Sequence, residues 1–245
     1  MKRKPANAPQ HRDQDADLLA GVRLFSSLDA GQLAEIAGES TRVVRLPGQH
    51  FFMQGDPTRS LFVLRSGRVK VSQITPAGHQ IVVRYAGPGE MFGCAPLYGG
   101  SAYPATGEAV IRSEAHAWSR SVMDRLMRQH PSVALNALEQ LGEELLDIRS
   151  RYRDLATQRV EQRVARALLR LVRQAGRKID AGVLIDFPVS RQDIAEMTGT
   201  TLHTVSRILS GWEHQDIISS GRQRIVIRRP HGLVSIAEDL GDRDS

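Results

Sequence analysis

From Thr41 to about Ala117 the apolar residues of this chain recur with a period of two, in runs bounded by turn residues. Val43, Val44 and Leu46 precede Pro47-Gly48, and Phe51-Phe52-Met53 lead to Gly55-Asp56-Pro57. Leu61-Phe62-Val63-Leu64 end at Ser66-Gly67, and Val69 and Val71 alternate with Arg68, Lys70 and Ser72. Pro76-Ala77-Gly78 turns into Ile81-Val82-Val83, which Gly87-Pro88-Gly89 closes. A period of two puts alternate side chains on one face of a strand, and a turn about every ten residues keeps the strands short. The stretch therefore predicts an all-β barrel or sandwich.

On either side the period is helical. Residues 1–14 are polar, with Pro5 and Pro9, and read as a mobile arm. Leu18, Leu19 and Val22 lead to Phe25, and Asp29 can cap a helix carrying Leu33, Ile36 and Ala37. After the strands, Val122, Leu126 and Met127 fit a short helix ending near His130-Pro131. Leu138, Leu141, Leu145, Ile148, Tyr152 and Leu155 then fall at alternating spacings of three and four, the a/d seam of a coiled coil. The seam could also be the core face of an internal helix. A stripe this narrow on a long polar helix fits a two-chain contact better, and predicts a homodimer.

A composition shift near Asp154–Gln158 marks a hinge. Val160, Val164, Ala167, Leu168, Leu171 and Val172 form a further amphipathic helix, and residues 176–187 read as a loop with a short strand at Val183-Leu184-Ile185.

The sharpest motif runs from Ser190 to Trp212. Ser190 can cap a helix, with Asp193 in the capping-box position and Ile194, Ala195 and Met197 as the apolar face. Gly199 supplies a sharp turn, and Thr201 can cap a second helix with Val205, Ile208, Leu209 and Trp212 inward. Leu202, His203, Ser206, Arg207 and Ser210 face outward. A short helix, a glycine turn and a second helix with polar residues near its start meet the needs of a recognition helix in the DNA major groove. Arg207 can contact guanine O6 and N7 together, and Ser206, Thr201 and Thr204 can reach phosphates or base edges. Arg191 lies at the start of the first helix and joins the candidate DNA contacts. Ile217-Ile218 and Ile225-Val226-Ile227 flank a turn, and Arg222, Arg224, Arg228 and Arg229 decorate the resulting hairpin. The motif is thus a winged helix-turn-helix whose partner is double-stranded DNA.

Composition narrows the rest. The chain has 245 residues, 41% hydrophobic, and a formal net charge of +6. From Arg159 to Arg229 there are 13 Lys/Arg against 7 Asp/Glu, so the basic surplus coincides with the DNA reader, balanced elsewhere by an acidic end (Glu238, Asp239, Asp242, Asp244). No apolar run approaches the roughly 18 residues of a membrane span. Lys2, Arg3 and Lys4 precede polar residues rather than an apolar segment, so a cytoplasmic protein without a signal peptide or membrane partner is expected. The single cysteine, Cys94, excludes an intrachain disulfide and an iron–sulfur cluster held by four cysteines of one chain.

In the order of its parts, over roughly residues 15–230, the chain resembles the Crp/Fnr family of bacterial transcription regulators. The likeness rests on the turns at Gly48, Gly55-Asp56 and Ser66-Gly67, the long seam helix, the hinge, and the stretch Thr204-Val205-Ser206-Arg207-Ile208-Leu209, close to the family's recognition-helix signature. The resemblance implies an α+β fold: an N-terminal double-stranded, jelly-roll-like β-roll that senses an effector, a long dimerisation helix, and a C-terminal winged helix-turn-helix. The corresponding boundaries are a mobile arm at 1–14, the sensor at 15–130, helix and hinge at 131–156, the DNA-binding domain at 157–230 and an acidic tail at 231–245. It also implies a dimer on a pseudo-palindromic operator and a contact with RNA polymerase, for which residues 176–187 are the candidate segment.

The departures from the family pattern concern the effector. Members that bind cyclic nucleotides carry a Gly-Glu pair that holds the ribose and an Arg-Ser/Thr-Ala segment whose Arg meets the phosphate. The matching stretches here are Gly93-Cys94-Ala95 and Pro104-Ala105-Thr106, with Gly89, Glu90 and Arg84 nearby. The nucleotide-touching Thr-Ser pair on the long helix is replaced by Ile148-Arg149. A buried phosphate without its Arg would be an unpaired charge, so cAMP is not expected. The N-terminal cysteine cluster of the iron–sulfur members is absent, and no iron–sulfur cluster is expected. Haem-based sensing of nitric oxide or carbon monoxide, an organic ligand, oxidation of Cys94, or no effector remain. His50, His79 and His116, with Met53 and Met91, are the haem candidates, though no spacing singles one out. A small residue packed in the roll is the plainer account of Cys94. In the DNA reader, the Glu that usually precedes the signature Thr is His203, which can donate where a carboxylate only accepts, and Leu202 can pack on a thymine methyl group.

Two other functions fit less well. A metal-binding cupin enzyme needs a His-x-His pair that the chain lacks, so no metal site and no enzyme are expected. A nucleotide-gated module for a partner protein would not carry the winged helix.

Overall fold

The computed structural model describes residues 17–239. The expected arm at 1–14 and the last residues of the expected tail lie outside the described residues. The chain divides into two compact units, one reaching to Val71 and resuming at Tyr85–Leu146, the other made of Ser72–Arg84 and the chain from Asp147 onward.

Eight strands build the β-roll: β1 (Thr41–Arg45), β2 (His50–Phe52), β3 (Ser60–Ser66), β4 (Val69–Ile74), β5 (Gln80–Ala86), β6 (Met91–Phe92), β7 (Thr106–Ala109) and β8 (Ser113–Ser119). They form two four-stranded sheets, in the orders β1-β8-β3-β6 and β2-β7-β4-β5. Alternation assigns the faces of the first sheet. Phe62 lies beside Ala117 and Phe92 in register and joins the aromatic rings inside the roll. Leu61, Val63, Met91 and Trp118 join the outer core beneath the helices. That core also takes Leu33, Ile36 and Ala37 from α1 (Ala30–Gly38) and Met123 and Leu126 from α2 (Arg120–Gln129). α1 opens with a capping box, Asp29 accepting from Gln32 N at 2.9 Å while Asp29 N donates to Gln32 Oε1 at 3.0 Å. Trp118 Nε1 donates to the Ile36 carbonyl at 2.8 Å, which satisfies its one polar atom on burial.

α3 (Pro131–Thr157) is the long seam helix, unbroken to Thr157. α4 (Val160–Ala175) follows, burying Val164, Ala165, Ala167, Leu168 and Leu171. Next come β9 (Gly176–Ile179), β10 (Gly182–Ile185), α5 (Arg191–Thr198), α6 (Leu202–His214), β11 (Ile218–Gly221), β12 (Arg224–Ile227) and α7 (Pro230–Glu238). The four strands form one sheet in the order β11-β12-β10-β9.

Two expectations need correction. Residues 176–187 are not a loop with one strand. β9 pairs with β10 through a tight turn, with Gly182 at φ +129°, where an added Cβ would strike the Ile227 carbonyl. The polar pair Arg177-Lys178 hid β9, an edge strand that keeps one side in water. Nor do residues 231–239 trail off as an acidic tail. Residues 231–238 belong to α7, with Asp239 as its C-cap; Leu233 and Ala237 are buried, and the Ala237 carbonyl accepts from Arg166 Nε of α4 at 3.1 Å.

Candidate nucleic-acid interface and effector cassette

Local chemistry sets the geometry of the helix-turn-helix. At the start of α5, Asp193 N donates to Ser190 Oγ at 3.0 Å and Ser190 N to Asp193 Oδ2 at 2.9 Å. α5 stops at Gly199, in the left-handed region at φ +61°, which a side chain would make costly. A Cβ there would also press Leu155 Cδ2 at 3.2 Å. Thr201 then caps α6 by accepting from Thr204 N at 3.2 Å, and the two threonine hydroxyls stand 3.0 Å apart.

Val205, Leu209 and Trp212 are buried, and Trp212 Nε1 donates to Glu161 of α4 at 2.9 Å. With that face fixed, the helical period turns the other outward. Leu202, His203 and Arg207 are exposed on it, with Ser206 and Ser210 half-buried. Thr201 is exposed and Thr204 half-buried at the helix start. In the wing, β11 and β12 pair with Gly221 opposite Arg224, and the Arg222-Gln223 turn between them leaves Arg222 and Arg224 exposed.

Three of the basic candidates are engaged by partners within the domain. Arg191 Nη2 donates to Ser220 Oγ at 2.8 Å and lies 3.5 Å from Glu213. Glu213 in turn accepts from Ser220 N and Oγ at 2.8 and 2.7 Å. Arg191 therefore braces the wing against α6, a role that depends on residues distant in sequence. Arg228 likewise pairs with Asp216 at 2.7 Å, and Arg229 Nε donates to the Asp216 carbonyl at 3.2 Å.

Along α3 the predicted seam stands in solvent. Leu138, Leu145, Ile148, Tyr152 and Leu155 are exposed, Tyr152 by 76%, and Leu141 is half-buried. Large apolar side chains left in water at helical spacing are costly, since water is a poor neighbour for them.

The candidate cassette residues of the β-roll lie at the two ends of β6 and at the start of β7. Gly89 has φ +81° in the turn before β6, where Glu90 Oε2 accepts from Gly87 N at 3.1 Å. Gly93 has φ +67°. Cys94 is half-buried and packs on the outer core. Pro104 is exposed, Ala105 is buried, and Thr106 Oγ1 accepts from Gln54 N at 3.0 Å.

The side chains that matter most here are Phe52 and Tyr103, which sequence reading passed over. Their rings stack at 4.2 Å and 17°. The Tyr103 hydroxyl accepts from Ser60 N at 2.9 Å and donates to the Ser60 carbonyl at 2.6 Å. Phe51, Phe62 and Phe92 complete the cluster. A cavity of ≈ 770 Å³ opens beside these rings, lined also by Thr41, Val43, Arg45 and Arg59.

The haem candidates do not come together. His50 and His79 are exposed. His116 is fully buried on the outer side of its sheet, with Nδ1 2.8 Å from Ser40 Oγ. Met53 is exposed, and Met91 belongs to the outer core. Among the described residues no three His, Cys, Asp or Glu side chains gather as a metal site, and no helix is long and apolar enough to cross a membrane.

Residues 162–236 match the model of the Crp-like helix-turn-helix domain, and residues 42–130 that of the cyclic nucleotide-binding domain. The cyclic AMP receptor protein of Thermus thermophilus is 30% identical over 91% of this chain and 100% of its own length. The chain belongs to the Crp/Fnr family. Another relative is the nitrogen fixation regulation protein FixK of Rhizobium meliloti, 28% identical over 83% of this chain and 90% of that protein. Among solved structures, FixK2 from Bradyrhizobium japonicum superposes with a TM-score of 0.71 at 25% identity, covering 80% of this chain and 96% of that one. As a Crp/Fnr protein the chain is a transcription regulator with a helix-turn-helix DNA-binding domain. Helix-turn-helix regulators of this family bind DNA and act as dimers.

Proposed function

We propose that the chain works as a homodimer, joined along the α3 seam, that reads a pseudo-palindromic DNA operator with its two α6 helices in successive major grooves. The half-sites then lie about one helical turn apart, ~34 Å. One observation carries the reading: α6 is pinned by Val205, Leu209 and Trp212, so Arg207 and His203 stand exposed together on its free face. Arg207 donates to guanine O6 and N7, His203 reads the neighbouring base, and Leu202 meets a thymine methyl group. Ser206, Thr201 and Thr204 serve phosphates or base edges, and Arg222 and Arg224 of the wing hold the backbone. Arg191 contributes by positioning the wing.

The protein acts in the cytoplasm as a regulator and not an enzyme, and contacts RNA polymerase through the β9–β10 hairpin, where Arg177, Lys178 and Asp180 are exposed. Control enters at the β-roll, where the ≈ 770 Å³ cavity gives a small molecule room and Cys94 offers a thiol. Haem-based sensing, the alternative, would need axial ligands other than His50, His79 and His116, which do not come together. An absorption spectrum of protein purified with haem supplied decides it, a Soret band favouring haem and a featureless spectrum the cavity or the thiol.

The DNA reading is tested by selecting bound sequences from a random duplex pool and titrating the winner against a scrambled duplex over a range of salt. A two-fold consensus and a steep fall of affinity with salt are expected. Equal affinity for both duplexes would contradict sequence-specific reading.

A further inference from the structure

The two halves of the effector cassette, Gly93 on the β6 side and the segment leading into β7, face each other across a space that holds a ring of this same chain. A Cβ added at Gly93 would stand 2.8 Å from Phe52 Cε1 and 3.0 Å from Phe62 Cδ2. One added at Gly107 would stand 2.8 Å from Phe52 Cζ and 2.9 Å from Cε1. The Phe52 ring is thus wedged between the two glycines, with Tyr103 stacked on its face and held by Ser60. Phe52, Phe62, Phe92 and Tyr103 are all buried, and the ≈ 770 Å³ cavity is lined by Phe52 and Tyr103 but by neither Gly93 nor Gly107.

We infer that Phe52 occupies the cassette as a built-in substitute for an effector and closes it to cyclic nucleotides. Three features of the chain then have one cause. Gly107 lacks a side chain because the ring needs its surface, while Gly93 is already held to glycine by its φ of +67°. The Glu and Arg of the nucleotide-binding members are replaced because no ribose or phosphate arrives. A diffusible ligand of the roll is confined to the cavity that Phe52 and Tyr103 border. The inference deepens the proposed control at the β-roll and rests on that reading only for its consequence, that DNA affinity is indifferent to cyclic nucleotides.

The test is a thermal double-mutant cycle on the full chain. Gly107 has no positive φ, so Gly107→Ala carries no backbone strain and reports the ring alone. In the wild-type background Gly107→Ala should lower the melting temperature by about 4 °C or more, from overpacking against Phe52. In a Phe52→Ala background the same change should be close to neutral or stabilising. Phe52→Leu, which keeps more of the core, serves where Phe52→Ala does not fold. Cyclic AMP and cyclic GMP at about 1 mM, on the order of 100 times a Kd of about 10 μM, should leave the wild-type melting temperature unchanged.

An equal cost of Gly107→Ala in both backgrounds, or a rise in wild-type melting temperature with either nucleotide, overturns the inference. Absence of specific DNA binding would instead remove the regulator reading and leave the cycle intact.

Discussion

Asp154, near the C-terminal end of α3, is buried and accepts from Nη1 of Arg166 on α4 at 3.3 Å, with Arg170 Nη1 3.9 Å from its other oxygen. One carboxylate thus fastens two helices across the Gln158-Arg159 break. Burial pushes the Arg170 guanidinium below its ordinary value and neighbouring Arg151 adds to that, while Asp147 and Asp154 oppose it. Asp154→Ala takes this carboxylate from Arg166 and leaves Arg170 with Asp147 alone to oppose its burial. Because both arginines keep some water, the expected cost is about 1–3 kcal/mol, below that of a fully buried pair. Thermal unfolding should show it, with Asp154→Asn intermediate. An unchanged melting temperature would mean that the α3–α4 junction is held by apolar contacts alone.

The α3 seam makes a prediction about mass. A charge placed at Leu145, which is 57% exposed, costs little in a monomer but must be desolvated in a dimer. Leu145→Asp should therefore shift sedimentation equilibrium from dimer to monomer at micromolar concentration with helix content preserved. A dimer of unchanged stability would place the interface elsewhere.

The wing predicts a change in salt dependence. Arg222→Ala and Arg224→Ala each remove a phosphate contact, so each should lower the slope of log affinity against log salt by about 1, with little change in which sequence is preferred. A changed consensus at unchanged slope would make these arginines base readers.

Much of this was legible in the sequence because it is locally encoded. The caps at Ser190 and Thr201 and the turn at Gly199 depend on neighbours within a few residues, and the alternation from Val43 to Val83 is a property of single strands. What escaped is non-local. Nothing beside Phe52 says that Gly93, Tyr103 and Gly107 will close on its ring, and nothing beside Arg191 announces Ser220 and Glu213. The edge strand β9 was masked by its polar pair. α7 was masked by the acidic end that follows it, although Leu233 and Ala237 at a spacing of four were a usable signal.

The most direct test of the central claim, that α6 reads DNA through Arg207, is the affinity of wild type and Arg207→Ala for the selected operator and for each single-base variant of one half-site. The wild type should lose about 1–3 kcal/mol when one particular G·C pair is changed, and Arg207→Ala should lose that much on the operator and no longer distinguish that pair. A loss spread evenly over all variants, with discrimination at every position retained, would contradict the account.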